Sequence, residues 1–285
     1  MRAHAKFPLF LALGGLLALP ACSKGETDKE QPVNKAAPHA AATPTHAAVA
    51  NEAASGPGPQ SLSTKTKNFE FSYKWPGEAS AIPELNSWLK GNGEKIRADN
   101  EGEAQSEAAE AKKAGYDFTG HSYDEDYATV ANTPRLLVLL SEGYVFTGGA
   151  HGMPINTAIL WDKAAKKRLA TATLIDIPRL ATVAKKRFCD ELDKQRAEKR
   201  GEPVRHDDPD QLDDFVKCVD MTKQLILPVT SDLKKSTALD MIRIVIGPYE
   251  AGPYVEGSYV IDMPVDAALL TTVKTGYRDY FAAPK

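Results

Sequence analysis

Cysteine is scarce, with three in 285 residues, Cys22, Cys189 and Cys218. No second pair accompanies Cys189 and Cys218, so a zinc centre built from two cysteine pairs is excluded. The phosphate-binding signatures are missing too: there is no GxGxxG, and no Walker lysine follows the one glycine-rich stretch. GxSxG and HExxH are absent, which removes the nucleophile elbow and the helical zinc-protease pair. Lysine and arginine form no stripe, and nucleic acid is not an expected partner. Long apolar runs are limited to 7-FPLFLALGGLLALP-20, too short and wrongly flanked for a spanning helix.

That run follows Arg2 and Lys6 and ends in 19-LPAC-22, so residues 1–21 read as a secretory signal peptide. The ending resembles the lipobox of bacterial lipoproteins, which implies lipidation of Cys22 and attachment to a membrane. Each buried CH₂ of the acyl chains would contribute about 0.8 kcal/mol. Ser23 follows, not Asp, which by resemblance to the bacterial sorting rule places the protein on the periplasmic side of the outer membrane. Removing Arg2 and Lys6 takes the basic count from 35 to 33 against 38 acidic residues, a net charge of about −5. Residues 22–65 are rich in Ala, Pro, Thr and Gly with almost no large apolar side chain, and are expected to be a disordered tether.

In an oxidising compartment Cys189 and Cys218 are expected to form a disulfide, the alternative being two thiols or a metal pair. Closing a loop between positions 189 and 218 would stabilise by roughly 3–4 kcal/mol.

The folded part opens with 69-FEFSYKW-75, alternating like a strand with one buried face. Ile82, Leu85, Trp88 and Leu89 begin a helix that continues, charged and alanine-rich, to Gly115, with a break expected near 91-GNG-93. A meander is expected over 116–130, 134–143, 144–148 and 156–162. A second helix from Arg179 is expected to present Leu180, Val183, Phe188 and Leu192 on one face, and strands are expected over 224–230, 240–249 and 257–264. Asp266 is placed to cap a closing turn or helix. The expected class is α+β: an antiparallel or mixed sheet with helices packed on one face, in two consecutive small α/β subdomains, 66–155 and 156–285.

The stretch 143-GYVFTGGAHGMP-154 raises the main functional question. It leads to another strand-like run, not a helix, so it is a chain reversal in which Gly148 and Gly149 supply unusual φ values and His151 sits beside them. His151 either ties down its own loop, hydrogen-bonds a ligand, or acts as a general base. A second stretch, 249-YEAGPYVEGSY-259, holds Tyr249, Glu250, Tyr254 and Glu256 on a Gly/Pro-rich loop, suited either to sugar stacking or a protein interface or to a rigid turn. The acidic 206-HDDPDQLDD-214 lacks the spacing of an EF-hand and reads as a solvated loop. Trp88 and Trp161 read as core anchors. No cofactor and no metal are expected.

An alternating strand closing on WP, then GYVFTGGAHG before a strand ending in WD, and finally 247-GPYEAGPYVEGSYVIDMP-264, resemble the paired extracellular domains of the PdaC and RsiV type. The resemblance covers about residues 66–283. It implies a cell-envelope protein that binds peptidoglycan or lysozyme; the candidate binding residues, read from the composition of the two loops, are Tyr144, Gly148, Gly149, His151, Tyr249, Glu250, Tyr254 and Glu256. Neither a TFDDGP-like run nor an HxxxH pair appears, so the deacetylase chemistry associated with PdaC is not implied. The sequence also lacks the spanning helix that RsiV-type signalling needs. An enzymatic role, with His151 as acid/base and Glu250 or Glu256 as partner, remains the alternative.

Overall fold

The alternation of Phe69, Phe71, Tyr73 and Trp75 with Glu70 and Lys74 gives strand β2, Phe69–Trp75, with its four aromatics buried. A computed structural model describes residues 58–207 and 215–283. The signal peptide, Cys22, the tether up to residue 57 and residues 208–214 of the acidic loop lie outside these residues. The tether was expected to reach residue 65, but Gln60–Lys65 is strand β1, paired antiparallel with β2. Its single large apolar side chain, Leu62, packs against the core, and ladder hydrogen bonds supply the order that burial does not.

After a single helical turn, α1, Gly77–Ser80, helix α2, Pro83–Ala114, starts with proline in its first turn and ends at Gly115, whose φ of 79° forms a left-handed cap. It runs unbroken through 91-GNG-93. At Gly93 the helix lies against β2, where an added Cβ would sit 2.8 Å from Tyr73 Cδ1 and Leu62 Cδ1. The glycine expected to break the helix is thus the point where it approaches the sheet.

The chain returns as β3, His121–Asn132, parallel to β2, so α2 is a crossover between parallel neighbours. β4, Leu136–Phe146, pairs antiparallel with β3 from Leu137 to Phe146, with one bulge between Thr129 and Ala131, and does not stop at Gly143. β5, Met153–Ile155, pairs with the distal part of β4, and β6, Ala158–Asp162, with its proximal part. β7, Lys167–Leu169, completes a seven-stranded sheet of order β1-β2-β3-β4-β6-β7, with β5 attached to β4. The subdomain division expected at 155/156 falls inside this sheet.

After α3, Thr171–Leu174, comes α4, Ile177–Arg200, capped by the Asp176 carboxylate accepting from Arg179 N–H at 3.1 Å. α4 buries Leu180, Ala184, Phe188, Leu192 and then Arg196, a strict four-residue stripe. Val183, expected on this face, is 40% exposed. Strands β8 (Leu225–Val229), β9 (Met241–Ile246) and β10 (Tyr259–Pro264) form an antiparallel sheet of order β10-β9-β8. The short helix α5, Ala267–Leu270, carries the expected Asp266 cap on Leu269 N–H at 2.8 Å.

The class is therefore α+β, mostly antiparallel, with a helix against each sheet. Leu137 and Leu139 of β4 face α2 together with the β2 aromatics and Trp161. Leu136, Val138 and Leu140 point the other way, into a core shared with α4 and the second sheet. Cys189 on α4 is joined to Cys218.

One carboxylate is buried under α2. Glu125, 1% exposed, accepts from Tyr123 Oη and Ser141 Oγ, both at 2.7 Å. Burial first, and then Glu125 through its hydrogen bond and its charge, push the Tyr123 and Tyr127 hydroxyls well above the usual tyrosine value. Folding thus holds protons that the unfolded chain releases near pH 10, so stability is full below about pH 10 and is lost as pH rises from there. The urea midpoint is expected to fall above about pH 10, less steeply in Tyr127→Phe; identical alkaline profiles in the two proteins would contradict this.

Candidate functional site

The distal end of β4 runs out into a turn whose geometry only glycine accepts easily. Gly148 and Gly149 have φ of 103° and 82°, with open space around the missing Cβ atoms, so the requirement is purely conformational. Gly152 is needed for a different reason: an added Cβ would lie 2.3 Å from Val145 O and 2.6 Å from Tyr144 Cε1. The turn folds back onto its own strand, and Gly152 N–H donates to Tyr144 Oη at 2.7 Å.

His151 is exposed at the end of this turn. Its Nδ1 lies 2.9 Å from Gly152 O, which can only accept, so Nδ1 carries a proton. In the neutral ring Nε2 then accepts from Tyr249 Oη at 3.2 Å.

Tyr249 comes from the loop between β9 and β10. That loop turns at Tyr249, a non-glycine residue with φ of 68°, held by its N–H to Gly252 O at 3.1 Å. Pro253 then leads into a single 3₁₀ turn, Tyr254–Glu256, closed by Gly257 at φ 64°.

Three cations on the last turns of α4 fix this loop from beneath. Arg196 Nε donates to Ala251 O at 2.9 Å, and Lys199 Nζ to Ser258 O at 2.7 Å. Arg200 grips the Glu256 carboxylate with two hydrogen bonds, 2.8 and 3.1 Å, and Tyr259 Oη donates to the same carboxylate. Burial alone would raise the Glu256 carboxyl, but the hydrogen bonds from Arg200 and Tyr259 and the nearby charges outweigh it and hold it below the usual range. Burial, with the Glu256 charge, raises the Tyr259 hydroxyl.

The two loops meet. The His151 ring stacks on Tyr254 with centroids 3.9 Å apart and planes 23° from parallel. Tyr254 Oη donates to Gly152 O at 3.0 Å, and Tyr249 lies 5.7 Å from Tyr254, centroid to centroid. Burial, then the Tyr144 and Tyr249 hydroxyls beside it, push the Tyr254 hydroxyl up to about 12. Tyr144 is 39% exposed, Tyr249 49% and Val255, at the loop tip, 88%. The result is an outward-facing patch of rings and one aliphatic tip, whose hydroxyls are engaged within the protein.

Of the residues singled out from sequence, Tyr144, His151, Tyr249 and Tyr254 converge, and Gly148 and Gly149 shape the turn. Glu250 lies at the rim, lining an open groove of about 260 Å³ with Met153, Pro154, Asn156, Lys223 and Gln224. Glu256 faces Arg200 and Tyr259 and serves as a strut of the loop. Sequence reasoning singled out neither Val255 nor the three α4 cations as site residues, and took Gly152 only as part of the GGAHG stretch. Arg196 carried a signal, since it continues the four-residue spacing of an otherwise apolar stripe.

His121 and His206 are elsewhere, paired with Glu107 at 3.1 Å and Asp193 at 3.0 Å. A larger groove of about 670 Å³ lies between α4 and β10, lined by charges that pair with one another, such as Arg187 with Asp266 and Lys186 with Asp190. Among the described residues no three His, Cys, Asp or Glu side chains converge as a metal site would require, and no carboxylate hydrogen-bonds His151.

Residues 62–154, from β1 through the glycine turn to β5, match the family described as Deacetylase PdaC. Two solved structures are similar to the chain. One is a DUF3298 family protein from Pseudomonas aeruginosa PAO1, 17% identical, covering 77% of this chain and 95% of its own, with a TM-score of 0.42. The other is a DUF3298 family member from Bacteroides fragilis NCTC 9343, 13% identical, covering 78% of this chain and 96% of its own, with a TM-score of 0.41. No curated protein matches the sequence.

The close approach at Gly152 is directly testable. Because the Val145 carbonyl is backbone and cannot swing aside, Gly152→Ala is expected to lower stability by about 1–3 kcal/mol in urea unfolding. A variant as stable as the parent would contradict the fold-back of the turn.

Proposed function

We propose that this is a non-catalytic cell-envelope protein, lipid-anchored through Cys22 on the periplasmic side of the outer membrane, whose joined loop face binds a partner. The partner is a lysozyme-like hydrolase or a cell-wall component. The observation that carries the reading is the His151–Tyr254 stack, which merges two segments about a hundred residues apart into one exposed patch. The N-terminal sequence and the match of residues 62–154 to a family named for a deacetylase support an envelope location.

The chemistry of the patch favours a protein partner over a glycan. A sugar chain is held by many hydrogen bonds, yet the hydroxyls of Tyr144, Tyr249 and Tyr254 are already engaged with Gly152 N, His151 and Gly152 O. What faces outward is ring surface and Val255, the rigid amphipathic kind of area that dominates protein interfaces. The enzymatic alternative has less support. Its acid/base His151 is bonded to Gly152 O and Tyr249, while one of its two carboxylates, Glu256, is bound to Arg200.

Calorimetric titration of the full chain with lysozyme tests this. Saturable binding is expected, weakened about tenfold or more by Tyr254→Ala or Val255→Asp. Absence of heat at roughly 100 µM would remove the hydrolase as partner, and failure to be retained on peptidoglycan as well would overturn the binding reading.

A further inference from the structure

The guanidinium of Arg196 is fully buried and links two parts of the molecule that otherwise do not share an element. On one side Nε donates to Ala251 O at 2.9 Å, inside the loop that carries Tyr249 and Tyr254. On the other, Nη1 donates to Val216 O at 3.1 Å and Nη2 to Lys217 O at 3.0 Å, the two residues directly before Cys218. Among the described residues the carboxylate at the guanidinium is that of Asp193, one turn earlier on α4, at 3.1 Å from Nη1. Three of the four bonds that make this buried cation tolerable therefore go to main-chain carbonyls, whose positions depend on how their segments are held.

The segment holding two of those carbonyls is tied to α4 by Cys189–Cys218, and Cys189 sits seven residues before Arg196 on the same helix. The bond is open to solvent on one side: Cys218 is exposed, while Cys189 is half-buried and packs against the core. Exposed disulfides are the ones that exchange readily.

We propose that this disulfide is a redox control on the loop face. While it is intact, the carbonyls of Val216 and Lys217 hold Arg196, and Arg196 holds Ala251 and so the shape of residues 249–257. The reductant is a dithiol. One of its thiolates attacks the exposed Sγ of Cys218, the S–S bond breaks, and Cys189 leaves as a thiolate that takes a proton. The second thiolate then attacks the mixed disulfide, the dithiol departs oxidised, and Cys218 takes the second proton. Two electrons and two protons pass to the cysteines. With the cross-link gone, the segment before Cys218 drifts, the buried cation loses acceptors, and the loop with Tyr249 and Tyr254 loosens from His151.

The control acts on the geometry of the face, whatever binds there, so its test needs no partner. Hydrogen exchange of the full chain is compared with and without dithiothreitol, with cysteine alkylation confirming reduction. Amides of residues 249–257 are expected to exchange about tenfold or more faster after reduction, while those of β2 and β4 keep their protection. The ring resonances of His151 shift in step as the Tyr254 stack opens. Arg196→Gln is expected to loosen the same loop with the disulfide intact. Unchanged exchange at 249–257 in fully reduced protein would overturn the proposal, as would a uniform rise through both sheets, which would make the bond a general staple. Should Arg196→Gln fail to fold, Cys189→Ser/Cys218→Ser decides in its place, expected to match the reduced wild-type pattern and no longer respond to dithiothreitol.

Discussion

The stretch from Leu136 to Leu140 is buried on both faces, and the rest of the fold depends on it. Leu137 and Leu139 support the aromatic core under α2, while Leu136, Val138 and Leu140 support the core shared with α4 and the second sheet. A strand apolar on both sides has to be covered twice, which fixes one layer on each side of the first sheet. Beyond Ser141 the same strand becomes partly exposed, and this distal half delivers Tyr144 and the glycine turn to the surface. Core and candidate face are two ends of one β-strand.

The candidate face is held in place by the protein's own contacts. Tyr249 adopts a left-handed conformation that non-glycine residues avoid, and such conformations persist where surrounding contacts over-determine them. Here those contacts are the cations of α4 beneath the loop and the His151 hydrogen bond above it. The bidentate Arg200–Glu256 pair is largely buried at both ends, with side chains 16% and 10% exposed, which sets it apart from the many surface ion pairs of α2. A patch fixed in this way loses little ordering entropy on association, which suits recognition by shape.

Much of the secondary structure was legible in the sequence because it follows local patterns: the alternation of 69–75, the four-residue spacing of α4, the Asp266 cap. The less legible parts were those decided at a distance. Gly93 looks like a breaker until Tyr73 lies against it, and the pairing of β6 with β4 is invisible to any window shorter than the sheet. β1 is the reverse case, a polar segment ordered by its neighbour's backbone. At the candidate face the aromatic and histidine residues stood out by composition, and Cys189 and Cys218 by elimination. Their convergence did not, since nothing local ties His151 to Tyr254. The contact of Glu256 with Arg200, 56 residues away, was equally out of reach of any local pattern.

The glycine turn and the β9–β10 loop form one coupled surface. A double-mutant cycle on folding stability with His151→Ala and Tyr254→Leu measures that coupling directly. An interaction energy of about 0.5–1.5 kcal/mol is expected, as for other stacked ring pairs, together with the loss of the Tyr254 hydrogen bond in one arm. Strict additivity of the two substitutions would mean that the loops are merely adjacent, and would contradict the coupling.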